Sequence, residues 1–454
     1  MTKHAFAAAL AALLFSAASS LLPATETRVW IPGWQLTHPL STPRAGAATV
    51  VANGVIYILG GVDGRQYLRS TEYAPIRDNG TLGPWRPASP LHEPRAFFAA
   101  VVHEGVIYAV GGGNDHPDEP LLRTVERAVI LPDGSLGPWQ KEHGTLQLPR
   151  RCVKLVRHNQ RLYALGGFAG TLLDSVETTT IEPDGTLAPW QLLNETLSVP
   201  RYVHAAKNTH GTLVVLGGHK EQSAAADNTL EYALFQNDGS LGPWQSGAAL
   251  RTGRYGHGAL VFKEHLYALG GISGATYLSS VEKSRLDQHG RPGPWQDTSP
   301  LPSARANFSS VAYGNFLYVI GGTNQGGYYN TVEYTSANSR GDLGFWGSKQ
   351  AAHQYEKQQR RLRSASPGRD LHTAGTVTAT VDRVINAGGY SYLQVTTSSD
   401  RREWLAVSAS GFKQGDTVEY RGGMLMRNFY SRSLDQTFPE IRFVSQIQHG
   451  SSAP

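Results

Sequence analysis

Cysteine is all but missing from this 454-residue chain: Cys152 stands alone, which excludes an intrachain disulfide and a Cys-based zinc cluster. Methionine is scarce too, with Met424 and Met426 the only ones beyond Met1. Past the N-terminal segment no stretch approaches the roughly 20 apolar residues that a bilayer span demands, so no membrane helix is expected there. Common catalytic signatures are absent as well: the sequence holds no His-Glu-x-x-His stretch, no P-loop and no Gly-x-Ser-x-Gly elbow. Asp115 and Asp118 lie on a loop-like stretch and define no acid–base couple. No catalytic residue, metal or cofactor is therefore expected, and the fold has to stand on burial and hydrogen bonding.

The net charge of +5 suggests a nucleic-acid or membrane partner, but its distribution removes that reading. Lys3 belongs to the N-terminal segment, which leaves +4. Residues 347–370 hold six basic side chains (Lys349, Lys357, Arg360, Arg361, Arg363, Arg369) against Glu356 and Asp370, also +4. The remainder is near neutral, whereas nucleic acid calls for a basic stripe on the folded part. Lys3 and His4 precede an Ala/Leu/Phe run from Ala5 to about Ala18, then small residues and Pro23. That order is a secretory signal over residues 1–24, with cleavage between Ser20 and Ala24, and it predicts a periplasmic or secreted protein.

What is abundant is glycine (50) and proline (25), between short Val/Tyr/Thr-rich runs that predict an all-β protein of many strands and tight turns. A hexapeptide recurs six times: GTLGPW from Gly80, GSLGPW from Gly134, GTLAPW from Gly185, GSLGPW from Gly239, GRPGPW from Gly290 and GDLGFW from Gly341. Paired glycines recur at Gly60/Gly61, Gly111/Gly112, Gly166/Gly167, Gly217/Gly218, Gly270/Gly271 and Gly321/Gly322, spaced by 51, 55, 51, 53 and 51 residues. Four residues before each second glycine stands Tyr57, Tyr108, Tyr163, Val214, Tyr267 or Tyr318. From a following Glu (Glu72, Glu126, Glu177, Glu231, Glu282, Glu333) to the Trp of the hexapeptide is thirteen residues every time. Only the stretch between glycines and Glu varies, which marks a loop on a rigid frame.

Each copy reads as four strands, with Asn-Gly or Asp-Gly turns before the last. One such sheet buries its face poorly alone, and a radial set buries its faces mutually, as in a β-propeller. The double glycine, the aromatic residue before it and the spaced Trp resemble the kelch repeat over residues 29–346. That resemblance implies four antiparallel strands per blade and a six-bladed propeller over residues 25–346. A seventh tryptophan, Trp34, sits in a segment that repeats the one around Trp295, so its strand is expected to close the last blade, with Trp346 the rival.

The rim that carries the variable loops also gathers a six-fold arginine: Arg44, Arg95, Arg150, Arg201, Arg254 and Arg305. Six guanidiniums could bind carboxylate or phosphate, or pair with the six-fold Glu between neighbouring blades, and recurrence in every blade favours the latter. The candidate binding face adds Asn114, Asp115, His116, His219, Lys220, Asn324, Tyr328 and Tyr329 on loops, with Tyr202 and Tyr255 just inside the rim. Such groups suit a sugar, a peptide or another protein's loop.

Cys152 and Tyr202 stand in a pairing similar to the cross-linked Cys and Tyr of the galactose oxidase family. The adjacent Tyr-His pair of that copper site has no counterpart, since Tyr255 and His257 alternate, and His204 and His257 read as packed strand residues. Sialate mutarotases are exported kelch proteins, and the resemblance to them is one of fold.

Residues 347–370 read as a basic polar linker with room for one helical turn set. From Leu371 to about residue 448, five strand-like runs predict a small OB-like barrel. This region resembles a small exported domain family associated with cytochrome c nitrite reduction. Met424 and Met426 share a strand face and read as barrel core, a soft Cu(I) contact being the other use of such a pair. The sequence thus predicts an exported, monomeric, non-catalytic binding or scaffolding protein whose partner is a protein or an oligosaccharide of the cell envelope. The alternative is a sugar-acting enzyme of the sialate mutarotase kind, with a copper oxidase ranked below it.

Overall fold

A computed structural model describes residues 28–220, 226–365, 377–387, 390–407, 411–420, 424–431, 434, 436–444 and 447–450. The expected signal segment lies outside them. The chain is nearly all-β and begins with consecutive antiparallel sheets of one pattern. The first comprises Ala48–Ala52, Val55–Leu59, Thr71–Pro75 and Arg86–Ala88. The second comprises Ala99–His103, Val106–Val110, Val125–Val129 and Gln140–Lys141. The third holds Lys154–His158, Arg161–Leu165, Val176–Thr180 and Gln191–Leu192. In the fourth are Ala205–Asn208, Thr212–Leu216, Leu230–Leu234 and Gln245–Ser246. Gly258–Phe262, His265–Leu269, Val281–Leu286 and Pro292–Thr298 make the fifth.

The sixth sheet, on Ser309–Tyr313, Phe316–Ile320 and Val332–Ala337, takes its outer edge from both ends of the repeat region. Gln35–Thr37 pairs with Val332 to Tyr334, while Leu343 and Gly344 pair with Ala337 and Ser336. Trp34 is 2 % exposed and packs in the core beside Leu301, Leu317 and Leu343, whereas Trp346 is 54 % exposed. The expectation for Trp34 therefore agrees with the structure, and the Trp346 strand is displaced outward, where Val29–Pro32 covers it.

The core lies between sheets rather than within one. One cluster joins Tyr57 and Leu59 of the first sheet to Ile107, Ala128 and Trp139 of the second, and another joins Ile56, Ala74 and Trp85 of the first to Tyr318, Ile320 and Val332 of the sixth. The innermost strands neighbour one another in sequence order, and Ser309–Tyr313 lies against Ala48–Ala52, so the series returns on itself.

Two hydrogen-bond ladders run round this circle and explain the repeated residues. The N–H of each second glycine donates to the carbonyl of the next repeat's arginine, Gly61 to Arg95 at 2.8 Å through to Gly322 to Arg44 at 2.8 Å. At Gly60 φ is +55° and an added Cβ would stand 2.5 Å from the Arg95 carbonyl oxygen, so only glycine fits. In parallel, each repeat's tyrosine hydroxyl donates to the first glycine carbonyl of the next hexapeptide: Tyr57 to Gly134, Tyr108 to Gly185, Tyr163 to Gly239, Tyr267 to Gly341 and, across the termini, Tyr318 to Gly80. The fourth repeat has Val214 there, and Thr212 Oγ1 instead reaches the His289 carbonyl at 2.6 Å. Five of the hexapeptides thus receive a neighbour's tyrosine at their first glycine, and Trp85, Trp139, Trp190 and Trp295 are buried in the core beside it.

The sequence expectation of a linker after Trp346 gives way to a helix over Lys349–Ala365. Nothing from Ser348 to Ala365 is Gly or Pro, Ser348 Oγ caps the first turn by accepting from Ala351 N–H, and Tyr355 fastens the helix to the closing strand by hydrogen bonds with the Trp34 backbone. Beyond it, seven strands form one sheet, in which Arg402–Val407 and Gln436–Val444 run parallel. Two of the five expected runs each divide, one into Thr417–Tyr420 and Met424–Ser431, the other into Gln436–Val444 and Ile447–His449. Met424 and Met426 pair with Phe443 and Ile441 in register; their side chains lie outside the described residues.

Candidate functional site

The six arginines are spent inside the frame. Each is 0–1 % exposed. Arg44 Nη1 donates to the carbonyls of Gly60 and Ser70, and its Nη2 pairs with Glu72 at 2.5 Å. Arg95, Arg150, Arg254 and Arg305 pair likewise with Glu126, Glu177, Glu282 and Glu333 at 2.5–2.6 Å, Arg95 also reaching Glu93 at 3.4 Å and Arg305 Nη1 donating to the Gly321 carbonyl and the Thr331 hydroxyl. Arg201 divides its fork between Asp227 at 3.0 Å and Glu231 at 2.9 Å. The partner is the glutamate of the same repeat, not of the neighbouring blade as the sequence suggested. The carboxylate also accepts backbone N–H groups from the incoming connector, Ser41 at Glu72 or Gln147 and Leu148 at Glu177. The pair thus clamps each connector onto its own sheet.

Loop residues are also partly committed. His116 Nδ1 accepts from the N–H groups of Asp118 and Glu119, fixing its own loop. Asn324 accepts from Gly326 N–H and donates to the Tyr329 hydroxyl, closing the hairpin Thr323–Asn324 with Gly327–Tyr328. Lys220 pairs with Asp227 at 2.9 Å. Asp115 and Tyr328 are exposed, and the Tyr328 ring lies over Gly64 of the first repeat's loop. Tyr329 places its ring 4.3 Å from the Arg305 guanidinium carbon.

What the structure does bring together is Tyr202, His219 and Tyr255. In each repeat the residue after the arginine bridges the residue after the glycine pair: Ala45 with Val62, Ala96 with Gly113, Arg151 with Phe168, Tyr202 with His219, Tyr255 with Ile272, Ala306 with Thr323. Large side chains occupy this bridge only in repeats three to five. The His219 ring stands edge-on between Tyr202 and Tyr255, at 5.4 and 5.6 Å between centroids, with Phe168 6.0 Å from Tyr202 and the Arg151 guanidinium 4.9 Å from Phe168. These rings are half-buried. Burial raises the Tyr202 hydroxyl and pushes Tyr255 up to about 12, and it lowers His219, so the ladder is uncharged at neutral pH.

Phe168 and Arg151 were missed in the sequence. The signal was present, since each is the bridge-position residue of its repeat, but it shows only when the six repeats are aligned at these two positions. Below the ladder, Cys152 is buried and has φ +57°. Burial raises its thiol. His204 and His257 are 0 % and 6 % exposed, in positions where other repeats carry Phe98, Val153 and Phe308; among the described residues neither ring nitrogen of His204 has a hydrogen-bond partner, while His257 faces the Arg254 backbone.

With this geometry in view, comparison with known proteins agrees. A Kelch motif model matches residues 43–73, 94–127 and 253–283, so the repeated four-stranded sheets are similar to those of a kelch-repeat propeller. The chain is 28 % identical over 306 residues to Alpha-scruin of Limulus polyphemus, covering 64 % of this chain and 31 % of that protein. It is 32 % identical over 240 residues to Kelch-like protein 35 of Homo sapiens, covering 52 % and 36 %. The chain therefore spans about a third of the length of these relatives. The solved structure of YjhT superposes with a TM-score of 0.55 at 16 % identity, over 69 % of this chain and 100 % of that one, a likeness of fold alone.

Proposed function

We propose that this protein is an exported, six-bladed kelch propeller that binds a protein or an oligosaccharide of the cell envelope at its loop rim. In this reading it acts as a monomeric scaffold without catalysis, and the C-terminal sheet is an OB-like second module. The observation that carries the reading is the ladder of Phe168, Tyr202, His219 and Tyr255. Half-buried rings over an otherwise repetitive frame offer flat faces for sugar rings or aromatic and aliphatic side chains, and their confinement to three adjacent repeats gives the rim a direction. Kelch-like relatives support protein binding as the general use of the scaffold. Affinity capture from an envelope extract, together with a glycan panel, tests it. The intact protein should retain a partner that Tyr202→Ala/Tyr255→Ala loses while keeping its thermal midpoint, and equal capture by both would refute the ladder as the site.

The sugar-acting alternative rests on the same rim, and the fold shared with YjhT over 69 % of this chain leaves it open. Anomer exchange of a sialic acid followed by proton NMR decides it: catalysed exchange abolished by His219→Ala would replace the binding reading.

A further inference from the structure

The six innermost strands read ATVVA, AAVVH, KLVRH, AAKN, GALVF and SSVAY, and none of them contains an aspartate or glutamate. They enclose the central axis, so the channel wall has no acidic side chain from these strands. Where Lys154 stands the other repeats have Ala48, Ala99, Ala205, Gly258 and Ser309. Where Lys207 stands they have Val50, Val101, Val156, Leu260 and Val311. Two adjacent repeats thus break an apolar pattern, each with a lysine. Among the described residues neither lysine makes an ion pair or hydrogen bond. Behind them lie the rings of His204, against Gly166, and His257, against Gly217.

We propose that the channel between the third, fourth and fifth repeats binds a small oxyanion, held by the ammonium groups of Lys154 and Lys207. Two like charges in a confined space with no counter-charge repel each other and lose hydration, and a carboxylate or phosphate between them offsets both penalties. Burial, and after it the Lys154 charge, lowers Lys207 to about 8, which leaves it mostly protonated at pH 7. The charged group facing it is Lys154, with which Cys152, His204 and His257 interact in turn, Arg201 and Arg254 lying behind the histidines; both histidines are held neutral by burial. The site lies below the aromatic rim and does not depend on what the rim binds.

The test replaces chloride with acetate, and separately with phosphate, at constant ionic strength on the full chain, and follows the thermal midpoint and the lysine side-chain NMR signals. A saturable rise in midpoint is expected, with two lysine resonances moving together. The acetate affinity should fall at least about tenfold in Lys154→Ala/Lys207→Val, whose side chains are those of the sister repeats, and also in intact protein above pH 9, where Lys207 is neutral. Lys349→Ala, on the outer helix, should behave as wild type. A response in only one of the two anions supports the site and names its preference. An unchanged response in the double variant, or no saturable shift of any lysine resonance, overturns the proposal, and the resonance readout stands even if the variant fails to fold.

Discussion

Repeats three to five and repeats six, one and two carry the same backbone bridge at the rim, yet one half hangs arginine and aromatic rings on it and the other alanine, valine, glycine and threonine. Ala45, Ala96 and Ala306 are 0–2 % exposed, whereas Tyr202 and Tyr255 are half-buried. The frame beneath is common to both halves, so its glycine–arginine hydrogen bonds do not demand the contrast. A repeat protein places its structural needs in what recurs and leaves function to what does not.

The sharpest way to break that contrast is to test whether the frame really is equal in both halves. Glu177→Ala in the third repeat and Glu72→Ala in the first each leave a buried arginine without its carboxylate, and each should destabilise by about 3–5 kcal/mol in urea unfolding. Glu231→Ala should cost less, since Asp227 still holds Arg201. A large difference between the first two would mean that the halves are not mechanically equivalent.

Glycine tests the same equivalence at smaller amplitude. At Gly167, φ is +99° and an added Cβ would meet the Arg151 carbonyl oxygen at 2.6 Å; at Gly322, φ is +96° and the Ala306 oxygen lies at 2.8 Å. Gly167→Ala and Gly322→Ala should each lose about 1–3 kcal/mol, again read from denaturant midpoints.

Most of this frame was legible in the sequence. The period, the hexapeptide and the priority of Trp34 over Trp346 follow from spacing alone, because a constant distance from Glu to Trp leaves no freedom in the sheet. Spacing could not tell whether Arg44 meets Glu72 or a neighbour's glutamate, since both choices share one period. Arg151 and Phe168 escaped because a search for long loops looks between the glycines and the Glu, not at the residues flanking the frame. The helix over Lys349–Ala365 was under-read because its charge suggested a linker, while the lack of Gly and Pro and the anchor at Tyr355 decide otherwise.

The two halves should also differ in their response to pH. Lys207 belongs to the aromatic side and has a folded-state pKa of about 8, below the roughly 10.4 of an unfolded lysine. Between those values the unfolded chain holds a proton that the folded chain has released, so stability rises with pH from about 8 to above 10. Lys207→Val should flatten that rise in urea midpoints collected across the range. A rise of the same size in the variant would assign it to other groups.

The smallest effect separates ring from nitrogen at the centre of the ladder. His219 sits between two tyrosines and is kept neutral by burial, so its imidazole contributes shape and one hydrogen-bonding edge rather than charge. His219→Phe preserves the stacking surface and removes the polar edge, and stability should change by less than about 0.5 kcal/mol. If the rim recognises its partner through flat faces, binding survives this change and is lost in His219→Ala. Loss in both variants would show that the imidazole edge is what the partner reads, and the aromatic half would then be a polar site framed by rings rather than a stacking surface.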